Sequence, residues 1–204
     1  MKPFRGLYVL LTMFLTGLVF TSLLFAAPEK VTPAEKETFE NFICYNSCFT
    51  ASIPSDWVRY EDIMDSEATR EYGVDLRGPK NADGAYVTID IIYYAPDHDM
   101  FKTAEDFIRA NANLRETLKA QGESVTPVTT TQIAGRDAVQ FDKKAILFLP
   151  FDSADPKKIM MFERLIIMKG KEGFYLLKYS APEDLAAQYL KVFDQVAASF
   201  KPNV

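Results

Sequence analysis

The chain has 204 residues, 48% hydrophobic and 13% aromatic, a composition that excludes a disordered polymer and suits one domain with its own core. Its formal charge is −5 at pH 7, from 28 acidic and 23 basic residues, and this balance argues against nucleic acid or an anionic lipid surface as a partner. The sequence holds no internal repeat and no low-complexity tract.

The N-terminus reads MKPFRGLYVLLTMFLTGLVFTSLLFAAPEK. Lys2 and Arg5 supply a positive start, Leu7 to Phe25 form an uncharged apolar run, and Ala26 and Ala27 precede the polar Pro28-Glu29-Lys30. This is the pattern of an export segment. The run exceeds the roughly 7–15 residues of a signal core and approaches the roughly 20 that span a bilayer. Residues 1–26 are therefore read as an export signal cleaved after Ala26 or as an N-terminal membrane anchor, and membrane contact is expected only through residues 7–25 if the segment is retained. In both cases Lys2 and Arg5 stay inside and the rest is exported. The location implied is the periplasm or the extracytoplasmic face of the membrane. No cysteine follows the run to carry a lipid. Lys2 and Arg5 are two of the 23 basic residues, so a cleaved chain holds 21 against 28 acids, a charge of −7.

Residues 27–41 are charged, contain proline and read as a tether, with Thr32-Pro33-Ala34-Glu35 matching a capping box. A single globular domain is expected over 42–204. It opens with FICYNSCFT, which holds Cys44 and Cys48, the chain's two cysteines. In an extended strand their Cα atoms would lie roughly 13 Å apart, whereas a disulfide needs about 7 Å or less. Bonding requires that the chain reverse between them or be helical there, and Tyr45-Asn46-Ser47 can make the reversal, since Asn and Ser are turn formers. The spacing is not the C-x₂-C of thioredoxin-type sites, and zinc would need more ligands than two cysteines and the single histidine, His98. Two reduced buried cysteines are the reading for a cytosolic chain; export into an oxidising compartment makes an intrachain disulfide the expected state. So small a loop gives little entropic stabilisation.

Strand patterns follow. Phe49, Ala51 and Ile53 alternate with polar residues, Pro54-Ser55-Asp56 turns the chain, and Trp57 to Tyr60 resumes it. Tyr72 to Leu76 reads as a strand ended by Gly78-Pro79, and Asn81-Ala82-Asp83-Gly84 as a turn. In AYVTIDIIYY, Val87, Ile89, Ile91 and Tyr93 share one face and Thr88, Asp90 and Ile92 the other. A helix is predicted from Thr103 to Lys119, with Phe107, Ile108, Leu114 and Leu118 as its apolar stripe. Further strands are predicted at 125–133, 138–149, 159–168 and 174–179, the last two joined by a hairpin at Lys169 to Gly173. IMMFERLIIM is apolar on both faces apart from Glu163 and Arg164, as expected of a strand covered on both sides. A closing helix is predicted from Pro182 to Phe200, capped by Ser180-Ala181-Pro182-Glu183 and burying Leu185, Tyr189, Val192, Phe193, Val196 and Phe200. The order implies an α+β fold with helices packed on an antiparallel sheet.

Few polar groups suggest chemistry. Asp97-His98-Asp99, in the loop YAPDHDMFK, is a weak candidate for a divalent metal or acid/base site. The plainer reading is a solvated loop before a helix N-terminus, where negative charge is favoured. Of the adjacent carboxylate pairs Glu61-Asp62 and Glu183-Asp184, the second is explained by a helix N-terminus and nothing favours a hydrolase built on either; Lys143-Lys144 and Lys157-Lys158 read as loop or edge-strand charges. No nucleophile elbow, phosphate loop or dinucleotide fingerprint is present. The sequence is read as non-enzymatic, with no catalytic residue and no cofactor.

CFTASIPSDWVRYED (48–62) resembles the opening strand and Pro-x-x-Trp turn of the PsbP-like family, which includes the extrinsic oxygen-evolving protein of photosystem II, DcrB-like bacterial envelope lipoproteins and a fungal nuclear-import factor that binds the GTPase Ran. TAEDFIRANANLRETL is similar to that family's first long helix, IAGRDAVQFD to its Gly-x-x-Ala strand, and GFYLLKYSAPEDLAAQYLKVFDQVAASFK to its closing strand and helix. The resemblance spans roughly residues 48–201. It implies an α/β/α sandwich around a central antiparallel sheet of about six to seven strands. It also implies action by binding proteins, here an envelope protein, and transfers no functional residue. The alternative is a small-ligand or lipid-binding module with a helix–sheet pocket lined by Tyr86, Tyr93, Tyr94 or Tyr175. A hydrolase with an unrecognised site is a third reading.

Overall fold

Alternating burial sets the architecture. In the computed structural model, which describes residues 37–96 and 98–204, β5 (Tyr86–Tyr94) buries Val87, Ile89, Ile91 and Tyr93 on one face and half-buries Thr88, Asp90 and Ile92 on the other. It lies between β4 (Glu71–Lys80) and β10 (Phe174–Pro182), antiparallel to both. Next to β10 come β9 (Lys157–Lys169) and β8 (Arg136–Leu149). The short β3 (Val58–Tyr60) closes one edge, while β6 (Ser124–Val125) and β7 (Thr129–Ile133) pair with β8 at the other. Among the described residues the sheet has eight strands, against the six to seven expected. A second sheet of three strands orders β1 (Phe39–Ile43), β2 (Phe49–Pro54) and β11 (Lys201–Pro202) as β1-β2-β11. β1 takes in residues 39–41 of the expected tether. The export segment 1–26 and the Thr32–Glu35 cap lie outside the described residues.

Each face of the large sheet has its own helix, which makes the α/β/α arrangement. α4 (Glu183–Ser199) and the small sheet cover the face of Val74, Ile91, Leu177 and Tyr179, and Phe49, Phe193, Val196 and Phe200 are fully buried there. α2 (Ala104–Asn111) covers part of the opposite face through Ala104 and Phe107, which pack on Tyr94, Phe174, Leu176, Leu165 and Phe141. β10 is central and buried on both faces except at Lys178.

Three local expectations are corrected. The helix expected over 103–119 starts as foreseen, with Thr103 Oγ1 accepting from the Asp106 N–H, but it ends at Asn111. Asn111 and Asn113 donate side-chain hydrogen bonds to the carbonyls of Phe107 and Arg109, so asparagine competes with the backbone ladder there. A separate turn, α3 (Glu116–Lys119), follows. Ser180 does not cap α4, because β10 runs on to Pro182, which stands at the N-cap. β4 passes through Gly78-Pro79 and shifts register between Arg77 and Lys80. Gly78 is required there: a Cβ would stand 2.6 Å from Trp57 ring atoms. The helix α1 (Ile63–Thr69) is capped by Asp62, which accepts from the Asp65 N–H.

Candidate functional site

Strand register brings distant residues together on the α2 face. Arg77 pairs with Val58 on β3 and Thr88 on β5, while Asp75 pairs with Tyr60 and Asp90. The Arg77 guanidinium carbon lies 4.9 Å from the Tyr60 ring centre and 5.1 Å from that of Tyr86. Lys80 Nζ lies 5.9 Å from the Tyr86 ring centre. Among the described residues, Arg77 and Lys80 have no carboxylate within ion-pair distance. Tyr60 is 48% exposed, Tyr86 38% and Val58 53%, and Arg77 and Lys80 are exposed too. The result is an open shelf in which one cation lies between two tyrosines and a second rests on one of them.

Beside the shelf a half-buried charge row crosses the sheet. Asp90 lies opposite Lys178 on β10, Ser180 opposite Glu163 on β9, and Glu163 opposite Lys143 on β8. Lys178 Nζ is 3.2 Å from Glu163 Oε1 and 4.0 Å from Asp90 Oδ2, and Lys143 Nζ is 3.4 Å from Glu163 Oε2. Burial pushes Asp90 up to about 6, Asp75 and Glu163 add to the shift, and Lys178 opposes it. Burial works to lower Lys178, but Glu163, Asp90 and Asp75 outweigh it and hold the ammonium above its ordinary range. Lys143 and Lys144 are therefore not free edge charges: Lys144 pairs with Glu183 of α4, as Lys157 does with Asp83.

The loop before α2 differs from its plainer reading. Asp97 lies outside the described residues, and Asp99 is exposed. His98 is only 5% exposed. Its Nε2 lies 2.8 Å from Glu71 Oε1, and its Nδ1 accepts from the Phe101 N–H at 3.0 Å. The ring stacks on Phe101 and meets the edge of Tyr94. His98 therefore anchors the loop to β4, with both nitrogens engaged. Among the described residues no group of three or more His, Cys, Asp or Glu is placed to hold a metal ion.

Cys44 and Cys48 flank a reversal, one of the two conformations that would let them bond. Ile43 pairs with Thr50, the Cys44 N–H donates to Phe49 O, and Asn46 and Ser47 take left-handed φ values of 58° and 55°. Both thiols are buried and unbonded, and Cys48 Sγ donates to Tyr45 O at 3.0 Å. The neighbouring Cys48 thiol and burial raise Cys44 strongly, while Cys44 lowers Cys48.

Three of the four tyrosines expected to line a pocket are not at the surface. Tyr93, Tyr94 and Tyr175 are core residues. The Tyr93 hydroxyl donates to Glu172 O, and that of Tyr175 lies 3.0 Å from Cys48 O and accepts from the Val204 N–H. A helix–sheet hollow of about 550 Å³ exists elsewhere, beside α2, lined by Ala104, Ile108, Val139 and Ile167 with Glu105 and Lys169 at its rim. The shelf and this hollow escaped sequence reading because each joins residues from several strands.

No family model and no curated protein matches the sequence. Among solved structures, cyanobacterial PsbP from Synechocystis is similar at TM-score 0.50 and 12% identity, over 86% of this chain and 99% of that one. A crystal structure from Bacteroides thetaiotaomicron aligns at TM-score 0.45 and 14% identity, over 81% of this chain and 48% of that one. The Ran-binding protein Mog1p of Saccharomyces cerevisiae aligns at 0.41 and 8%, over 82% and 96%. The chain shares its fold with cyanobacterial PsbP.

Proposed function

We propose that the folded unit is a non-enzymatic accessory domain that binds a protein partner outside the cytoplasm. The observation that carries this reading is the partly uncovered α2 face, where Tyr60, Arg77 and Tyr86 are exposed side by side. Tyrosine and arginine dominate binding energy at protein interfaces. The motif resemblance to PsbP-like domains, which mostly act by binding proteins, supports it, and the apolar run at 7–25 supports export. In an oxidising compartment Cys44 and Cys48 pass two electrons and two protons to its thiol oxidants and form an S–S bond. The test is affinity purification of the full chain from solubilised envelope, with thiol-blocked mass measurement of the same sample. A stoichiometric protein partner and a mass two hydrogens below the dithiol are expected. Recovery from the cytosol as a partner-free dithiol would overturn the reading.

A second reading rests on the hollow beside α2, whose apolar floor and charged rim suit a small amphipathic ligand. Native mass spectrometry of the purified chain separates the two readings: a bound small molecule favours the second.

A further inference from the structure

We propose that the Tyr60–Arg77–Tyr86–Lys80 shelf is the docking surface, and that its occupant is an acidic segment of a protein partner. This rests on the protein-binding reading above and adds the place and the chemistry. The chain carries more acid than base, and many of its cations face carboxylates: Arg59, Lys143, Lys144, Arg164 and Lys178 are all ion-paired. Arg77 and Lys80 instead lie along exposed tyrosine rings. Two flanking rings restrain the Arg77 guanidinium, and a guanidinium binds a carboxylate through two parallel bonds. The tyrosines offer flat apolar area with little rotamer freedom to lose.

The surroundings choose a protein segment over an anionic membrane. Asp75 is exposed on the same strand face as Arg77, and Asp90 lies directly across from Asp75. A plane of lipid phosphates would press against these carboxylates as well as the cations. A peptide can set a carboxylate over Arg77 and Lys80 and a basic or neutral residue over Asp75. A three-residue edge strand such as β3 offers little backbone for strand addition, so recognition here is by side chains.

The test uses the full chain in its own cells, with a photocrosslinking amino acid at Val58, an exposed neighbour of the shelf. The crosslinked peptide is sequenced, and the yield is compared with that of Arg77→Gln/Lys80→Gln and of Tyr86→Ala, each checked by thermal melt. The expected result is a protein adduct at a carboxylate-rich segment, reduced at least tenfold in both variants while the melts hold. An adduct on a neutral or basic segment, or a yield unaffected by the variants, overturns the proposal. So does cosedimentation with phosphatidylglycerol vesicles that depends on Arg77. If Val58 gives no adduct but probes at Met100, Phe148 or Phe151 do, the shelf is wrong and the protein-binding reading stands. If none gives an adduct, both fall.

Discussion

His98 Nε2 lies 2.8 Å from Glu71 Oε1, joining the loop ahead of α2 to the first residue of β4. Because Nδ1 accepts the Phe101 N–H, the Nε2 atom carries the proton and donates it to Glu71. Each nitrogen thus has one defined partner, and the ring fills a buried gap between Phe101 and Tyr94. His98→Ala removes the acceptor for the Phe101 N–H and leaves a void, so it is expected to cost about 2–3 kcal/mol. Glu71→Gln keeps an acceptor for Nε2 and is expected to cost under about 1 kcal/mol. Urea unfolding of the two variants checks this, and equal losses would show that the loop needs the Glu71 carboxylate and not merely an acceptor for Nε2.

Phe193 is fully buried and stacks on Tyr179, with ring centres 5.6 Å apart. Tyr179 in turn donates to Ala186 O on the same helix. Phe193→Ala empties the contact between α4 and β10 and is expected to cost about 3–5 kcal/mol. Lys191, exposed on the opposite side of α4, is expected to tolerate alanine within about 0.5 kcal/mol. Chemical denaturation of both variants measures the contrast.

How much was legible depended on whether the signal lay within one element or between elements. The hairpin at Cys44 and Cys48 was legible because Asn46 and Ser47 are turn formers and Asn46 accepts a left-handed backbone. The faces of β5 and α4 were legible because their apolar spacing matches the strand and helix periods. The break after Asn111 was not, since Phe107, Ile108, Leu114 and Leu118 keep helical spacing while the asparagine side chains capture carbonyls. His98 looked solvated because its partner, Glu71, lies on β4, far from the loop in sequence. The shelf was hidden for the same reason: Tyr60, Arg77 and Tyr86 meet through register, and the bulge after Arg77 brings Lys80 opposite Tyr86.

Gly78 and Trp57 supply a packing test. Trp57 is buried and meets Tyr189 of α4 edge to face at 6.2 Å. Its ring lies where a Cβ on residue 78 would stand, within 2.6 Å. Gly78→Ala must displace a confined indole and not a free side-chain end, and is expected to cost about 1–3 kcal/mol by overpacking. Near-ultraviolet circular dichroism and a thermal melt would follow it. An unchanged tryptophan band with an unchanged melting temperature would place Trp57 elsewhere.

Asp90 should make stability fall as pH rises across the acid range. Its side chain is 21% exposed, and burial lifts its folded pKa from 3.8 to about 6. The fold therefore favours the protonated form. The resulting contribution is fully present below the unfolded pKa and is lost as pH rises through about 6. At one pKa unit per about 1.4 kcal/mol, and with a discount for the exposed part, the loss amounts to about 1–3 kcal/mol. Asp90→Asn keeps the size and hydrogen-bonding reach of the side chain without the buried charge. Lys178 retains Glu163 at 3.2 Å in that variant, so its ammonium is not stranded. The variant is expected to match the parent near pH 4, to exceed it by about 1–3 kcal/mol at pH 7.5, and to flatten the decline between. Urea denaturation at pH 4, 5, 6 and 7.5 decides. A variant weaker than the parent at pH 7.5 would mean that the Asp90–Lys178 attraction outweighs the burial of the carboxylate.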